Sequence, residues 1–152
     1  MLRGAAAGAA GTTALDAVTY LDMAVRGRPA SSTPEQSVEA LSRRAGLPVP
    51  GDGDSRPNRV RGVAALLGLA TGVTIGGLIG AVDAAADGAL GRLPLGTGGL
   101  LVGGVALVAA NGPMAALGVS DPRDWSPADW LSDVVPHLAY GLVFAYAYRS
   151  KS

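Results

Sequence analysis

The chain has 152 residues, which fits one domain and leaves no room for a catalytic domain with a separate regulatory one. It carries 23 Gly, 28 Ala, a single Phe and no Cys, and only 16% of it is charged; this excludes a disordered chain and a disulfide-stapled secreted scaffold, and it argues against a water-soluble globule. Twelve basic and twelve acidic side chains cancel, so no net field draws in a nucleic acid.

The charges are spaced so that four windows are left nearly free of them, about 3–25, 60–86, 93–119 and 127–148. Each is near or above the roughly 20 residues that a helix needs to cross about 30 Å of hydrocarbon. The expected fold is therefore all-α: an integral membrane four-helix bundle forming one transmembrane domain over 1–152, with a short amphipathic helix about 34–45 in the first loop. Buried core helices of a soluble protein are the alternative, but the rest of a 15.0 kDa chain is too short to cover two uncharged helices of this length.

In the first window Arg3 gives a basic start, as in a signal peptide. There is no run of Leu, Ile or Val, however, and Asp16 occupies the place of a signal core, so a spanning helix is the better reading. The loop after it contains TPEQ, which places Thr33 at an N-cap, Pro34 at N1 and Gln36 at N3 in a capping box. Val38, Leu41 and Ala45 then share a face, Glu39 and Arg43 pair at i,i+4, and Gly46 ends the helix. Twelve residues are too few to stand alone, so this helix is expected to rest on the membrane surface or on the ends of the spanning helices. The following LPVPGDGDSRPN reads as an irregular connector.

The second window sets Ala64, Gly68, Gly72, Gly76, Gly80 and Ala84 at strict steps of four, a nearly bare groove that another backbone can approach closely. Helix packing is therefore assigned to Gly68, Gly72, Gly76 and Gly80. Gly4, Gly8 and Thr12 make a matching row in the first helix, continued by Asp16, and Gly99 and Gly103 repeat the spacing in the third. A tight bundle of the first three helices is the economical arrangement. In the third window Asn111, Gly112 and Pro113 either end the crossing or kink it. A second capping box, Ser126 with Pro127 at N1 and Asp129 at N3, opens the fourth helix; Trp125 and Trp130 at one end, and Tyr146 and Tyr148 at the other, form aromatic belts. Pro136 is expected to bend this helix beside His137.

Lys and Arg alone set the orientation. The first loop and the entrance to the second helix hold Arg26, Arg28, Arg43, Arg44, Arg56, Arg59 and Arg61, and the last loop adds Arg123; Arg3, Arg92, Arg149 and Lys151 lie on the other side. The count predicts the 26–59 loop cytoplasmic and both termini outside.

A rise of about 1.5 Å per residue places Asp16, Asn111, Asp133 and His137 within roughly 8 Å of the midplane, all displaced toward the side of the two long loops. Polar side chains at that depth are costly unless paired, protonated or wet. They read either as interhelical hydrogen bonds that fix the bundle or as a small cavity or proton path, with Asp16 and His137 as the expected pair. A divalent metal on Asp129, Asp133 and His137 lacks any supporting motif such as HExxH, and the only His has no identifiable nucleophile, so no catalytic residue, metal or cofactor is assigned. GTGGLL lacks the third glycine of a dinucleotide fingerprint, no GK[ST] occurs, and DGDSRPN lacks the central glycine of a calcium loop.

The first helix, GTTALDAVTYLDM with its arginine-rich exit, and the entry to the fourth, DPRDWSPADWLSDVVPHLAYG, together with eleven Arg against one Lys, resemble small Gly/Ala-rich inner-membrane proteins of high-GC, actinobacterial-type bacteria. The resemblance implies the membrane location and carries no activity, substrate or cofactor. Three functions stay open: a structural or accessory membrane protein, alone, as a homo-oligomer or beside a complex partner in the lipid bilayer; a small oligomeric transporter or channel for protons, cations or a small solute using Asp16, Asn111, Asp133 and His137; and an intramembrane enzyme.

Overall fold

The computed structural model describes residues 1–150. Among them the chain is helical and without strands: α1 (Leu2–Arg26), α2 (Thr33–Ala45), α3 (Ser55–Ala85), α4 (Ala89–Arg92), α5 (Leu95–Ala116) and α6 (Pro127–Arg149), with a 3-10 turn at Pro122–Asp124. The long helices stand in the order α3, α1, α6, α5. α1 packs along both α3 and α6, α6 packs along both α1 and α5, and α3 barely meets α5. The expected bundle of the first three long helices is therefore corrected, since α5 leaves α1 and α3 and packs on α6.

Glycines decide this order. A Cβ on Gly76 would come within 2.6 Å of the Gly8 Cα, and one on Gly80 within 2.9 Å of the Gly4 Cα, so α1 and α3 touch backbone to backbone. On the far side, a Cβ on Gly141 would lie 2.8 Å from the Gly103 Cα and one on Gly99 3.1 Å from the Leu142 Cα, which joins α5 to α6 in the same way. Gly72 faces the Thr12 side chain. Gly68 faces open space, so the assigned packing row shortens to Gly72, Gly76 and Gly80.

Between these seams Ala7, Val102, Ala106, Tyr140 and Phe144 form the core, with Leu15, Ile75 and Ile79 packed against it. Tyr140, Phe144 and Tyr148 stack at i,i+4 along α6, with ring centroids 6.2 and 5.4 Å apart. The Tyr140 hydroxyl donates to the Gly72 carbonyl at 2.7 Å, so α6 reaches past α1 to α3. α3 and α5 are long and apolar enough to cross a membrane. Their large side chains, among them Leu66, Leu69, Leu78 and Val82 on α3 and Leu100, Leu101 and Val108 on α5, are exposed.

The two arginine-bearing loops lie at one end of the bundle, where the Arg44 guanidinium donates to the Ala116 carbonyl and Arg26 to the Ser132 hydroxyl. At the other end Arg3 stacks over the Tyr148 ring, and Arg149 donates to the carbonyls of Leu90 and Leu93. Buried Asp83 accepts the Leu90 amide at 2.7 Å and holds α4 over the end of α3. Lys151 lies outside the described residues.

Several local expectations change. The expected Thr33–Gln36 capping box does not form: Thr33 already has helical backbone, Ser32 is the N-cap without a side-chain cap bond, and Gln36 Nε2 donates instead to the Ser32 hydroxyl at 2.8 Å. Gly46 ends α2 in the left-handed region at φ +66°, as the sequence indicates. Val38 and Ala40 are the buried positions, whereas Leu41 and Ala45 are exposed. Val38 meets Val60 and Ala64, which seats α2 on the first turns of α3. α3 begins at Ser55 within the expected connector, because Pro57 lies in the first turn where its missing N–H costs no helical bond. α5 runs unbroken through Asn111 and Pro113 to Ala116. The Ser126–Asp129 capping box of α6 forms on both sides.

Glu39 does not pair with Arg43; both its oxygens accept from Arg56, at 2.7 and 2.6 Å. That guanidinium holds the Glu39 carboxyl below its usual range. A lowered folded value contributes stability above the unfolded carboxylate range and loses it as pH falls through the folded value. Glu39→Gln, or acidification through that range, is therefore expected to loosen α2 from α3 with little change in global unfolding. Faster proteolytic nicking of residues 46–54 would report it; unchanged nicking would assign the docking to Val38 alone.

Candidate functional site

The tight α5–α6 seam brings three of the four polar candidates together. Asn111 stands on α5 two residues before Pro113, and Asp133 and His137 stand one turn apart on α6 around Pro136. The Asn111 amide donates one hydrogen to the Asp133 carboxylate at 2.7 Å and the other to the Leu107 carbonyl at 3.0 Å. His137 Nδ1 lies 2.7 Å from the Asp133 carbonyl and 3.5 Å from its Oδ1. A carbonyl only accepts, so Nδ1 carries a hydrogen and donates it. His137 is 8% exposed, and no buried side-chain nitrogen or oxygen among the described residues lacks a partner. Among the described residues Nε2 makes no hydrogen bond and so keeps access to the surface.

Asp16 is not part of this network. It continues the Gly8–Thr12 line that faces α3, one helical step away from the Ala7–Gly11 line that faces α6, and among the described residues it forms no hydrogen bond or ion pair. The expected Asp16–His137 pair is replaced by Asp133–His137 within α6. Equal depth set the expectation, and rotation about the helix axis overrides it. At the same level Gly68 has open space, so the α1–α3 contact ends beyond Thr12 and Gly72.

Nearly two turns nearer the loops, Asp22 accepts from Arg26 at 2.6 Å and from Arg28 at 2.5 Å, which leaves Arg26 shared between α1 and Ser132 of α6. Asp129 is turned to Ser126, its amide accepted by the Ser126 hydroxyl at 3.2 Å. Among the described residues no three His, Cys, Asp or Glu side chains converge as metal ligands. Chemically the arrangement orders one carboxylate, one amide and one imidazole along a single helix seam, with Nε2 of the imidazole outside the network.

Sequence spacing identifies Asn111, Asp133 and His137 but not the residues that press them together. Gly141 is the missed element, and its i,i+4 spacing to Ala145, matching Gly99 and Gly103 of α5, is the signal that points to it. The Tyr140 hydroxyl bond to Gly72 has no counterpart in any motif. Comparison with known protein families, with characterised proteins and with solved structures finds no match for this chain.

Proposed function

We propose that the chain is a small multi-pass membrane protein of structural or accessory role, its helices locked by glycine seams and by one polar network. The observation that carries this reading is the network itself: Asn111 and Asp133 satisfy each other across α5 and α6, and the imidazole closes onto the Asp133 carbonyl. The exposed large apolar side chains of α3 and α5, the two helices long and apolar enough to cross a membrane, support lipid as the surrounding medium. Those faces are also where a second copy or a complex partner would pack. Arginine-rich loops gathered at one end favour a cytoplasmic 26–59 loop with the termini outside, in a bacterial plasma membrane.

Two measurements test it. The chain has no cysteine, so single cysteines at Ser31 and Ser150 report cleanly. In intact cells the impermeant reagent is expected to reach Ser150→Cys and miss Ser31→Cys; the reverse overturns the orientation, and release of the chain by alkaline extraction overturns the membrane reading. A double-mutant cycle on Asn111→Ala and Asp133→Ala is expected to give a coupling of about 1–2 kcal/mol in thermal unfolding, against none for Asp16 with His137.

One observation favours a second reading, a small oligomeric transporter or channel. Among the described residues Asp16 makes no hydrogen bond or ion pair, and the α1–α3 contact opens beside it at Gly68. On that reading, proton or cation flux into protein-containing vesicles disappears with Asp16→Asn while the bundle stays folded. Flux indifferent to Asp16 removes it.

A further inference from the structure

A cavity of about 540 Å³ lies away from the polar network, between α2, the first turns of α3 and the segment after α5. Its charged lining is Arg43, Arg56 and Arg61 against Glu35 and Glu39. Arg56 and Glu39 neutralise each other in the two-bond contact described above. Arg61 stands 3.7 Å from Glu35, without a hydrogen bond, and is 71% exposed. Among the described residues the Arg43 side chain makes no hydrogen bond or ion pair, and its charge acts on Glu39 only at longer range. Two guanidiniums with unspent donors therefore face the cavity, opposed by one loosely held carboxylate, and the positive end of α3, a helix of 31 residues, opens beside them.

Apart from Ser32 and Gln36 on the α2 side, the remaining lining is apolar. Ala40 and Val60 form a buried floor, and Leu117 and Val119 form a wall. Arg61 is the last charge before the uncharged run 62–82 of α3, whose exposed Val63, Leu66 and Leu67 follow within two turns. A free inorganic anion has no use for such a floor, whereas the glycerol backbone and upper acyl chain of a phospholipid match it.

We propose that this cavity binds the headgroup phosphate of an anionic phospholipid, held by Arg43 and Arg61, with the acyl chains along the apolar face of α3. The phosphate takes Arg61 from Glu35. The proposal rests on the membrane reading above, because it places the cavity at the boundary between water and lipid.

The test uses the full chain purified in detergent, with thermal stabilisation as the readout and dioctanoyl phosphatidylglycerol as the probe. Saturable stabilisation is expected, with none from dioctanoyl phosphatidylcholine. Arg43→Gln and Arg61→Gln are each expected to weaken binding about fivefold. Glu35→Gln is expected to tighten it, because the competing carboxylate is gone, and Arg92→Gln, at the opposite end, to leave it unchanged. An equal response to phosphatidylcholine, or unchanged binding by the double Arg43→Gln, Arg61→Gln variant, overturns the proposal. Inorganic phosphate or glycerol 3-phosphate binding as tightly as the lipid overturns the lipid assignment in favour of a free anion. Failure of the membrane reading is seen separately, as release of the chain by alkaline extraction, so the two failures cannot be confused.

Discussion

Gly76→Leu is expected to disrupt the α1–α3 seam, whereas Gly68→Leu, two turns earlier in the same row, leaves it intact. At Gly76 the first added carbon already falls 2.6 Å from the Gly8 Cα, where only backbone stands and nothing can rotate away. The helices must separate, which uncovers Ile75 and Ile79 from the core and pulls the Gly72 carbonyl from the Tyr140 hydroxyl. The expected cost is on the order of 3 kcal/mol in thermal unfolding in one detergent. At Gly68 nothing lies within 4 Å of an added Cβ, and leucine there costs no contact while improving helix propensity. Equal destabilisation of the two variants would falsify the placement of α1 on α3.

A smaller change suffices at the second seam. Gly141→Ala adds one methyl that would lie 2.8 Å from the Gly103 Cα, so even alanine is expected to cost about 1–3 kcal/mol by driving α6 from α5. Gly104→Ala is the matched control: its side faces open space, and the substitution is expected to stabilise α5 by up to about 1 kcal/mol through helix propensity. Separation at Gly141 also lengthens the Asn111–Asp133 contact, so the coupling between those two residues should vanish in the Gly141→Ala background. A coupling that survives there would show that the polar network does not depend on the close backbone approach. It would then be Val102 and Ala106 that hold α5 against α6.

The sequence alone determines the helical segments and the ends to which the charges go. Ser126 with Asp129, Gly46 after α2, and the uncharged runs of α3 and α5 act within a few residues of themselves, so spacing along the chain is all that is needed to read them. Position along a helix axis is legible for the same reason; it groups Asn111, Asp133 and His137, but it adds Asp16, which the network leaves out. Choice of neighbour is not legible in this way. A glycine row offers a groove with no chemical mark of its partner, so Gly72, Gly76 and Gly80 accept α1 while Gly68 stays idle, and Gly99 and Gly103 take α6 rather than α1. Glu39 has arginines in reach at Arg43 and Arg56, and only the seating of Val38 on Val60 and Ala64 selects Arg56. Asp16 and His137 share a level but face different helices, because rotation about the axis is fixed by which backbones can touch. The tertiary structure decides those contacts through the fit of whole helix faces, a property no short stretch of sequence contains.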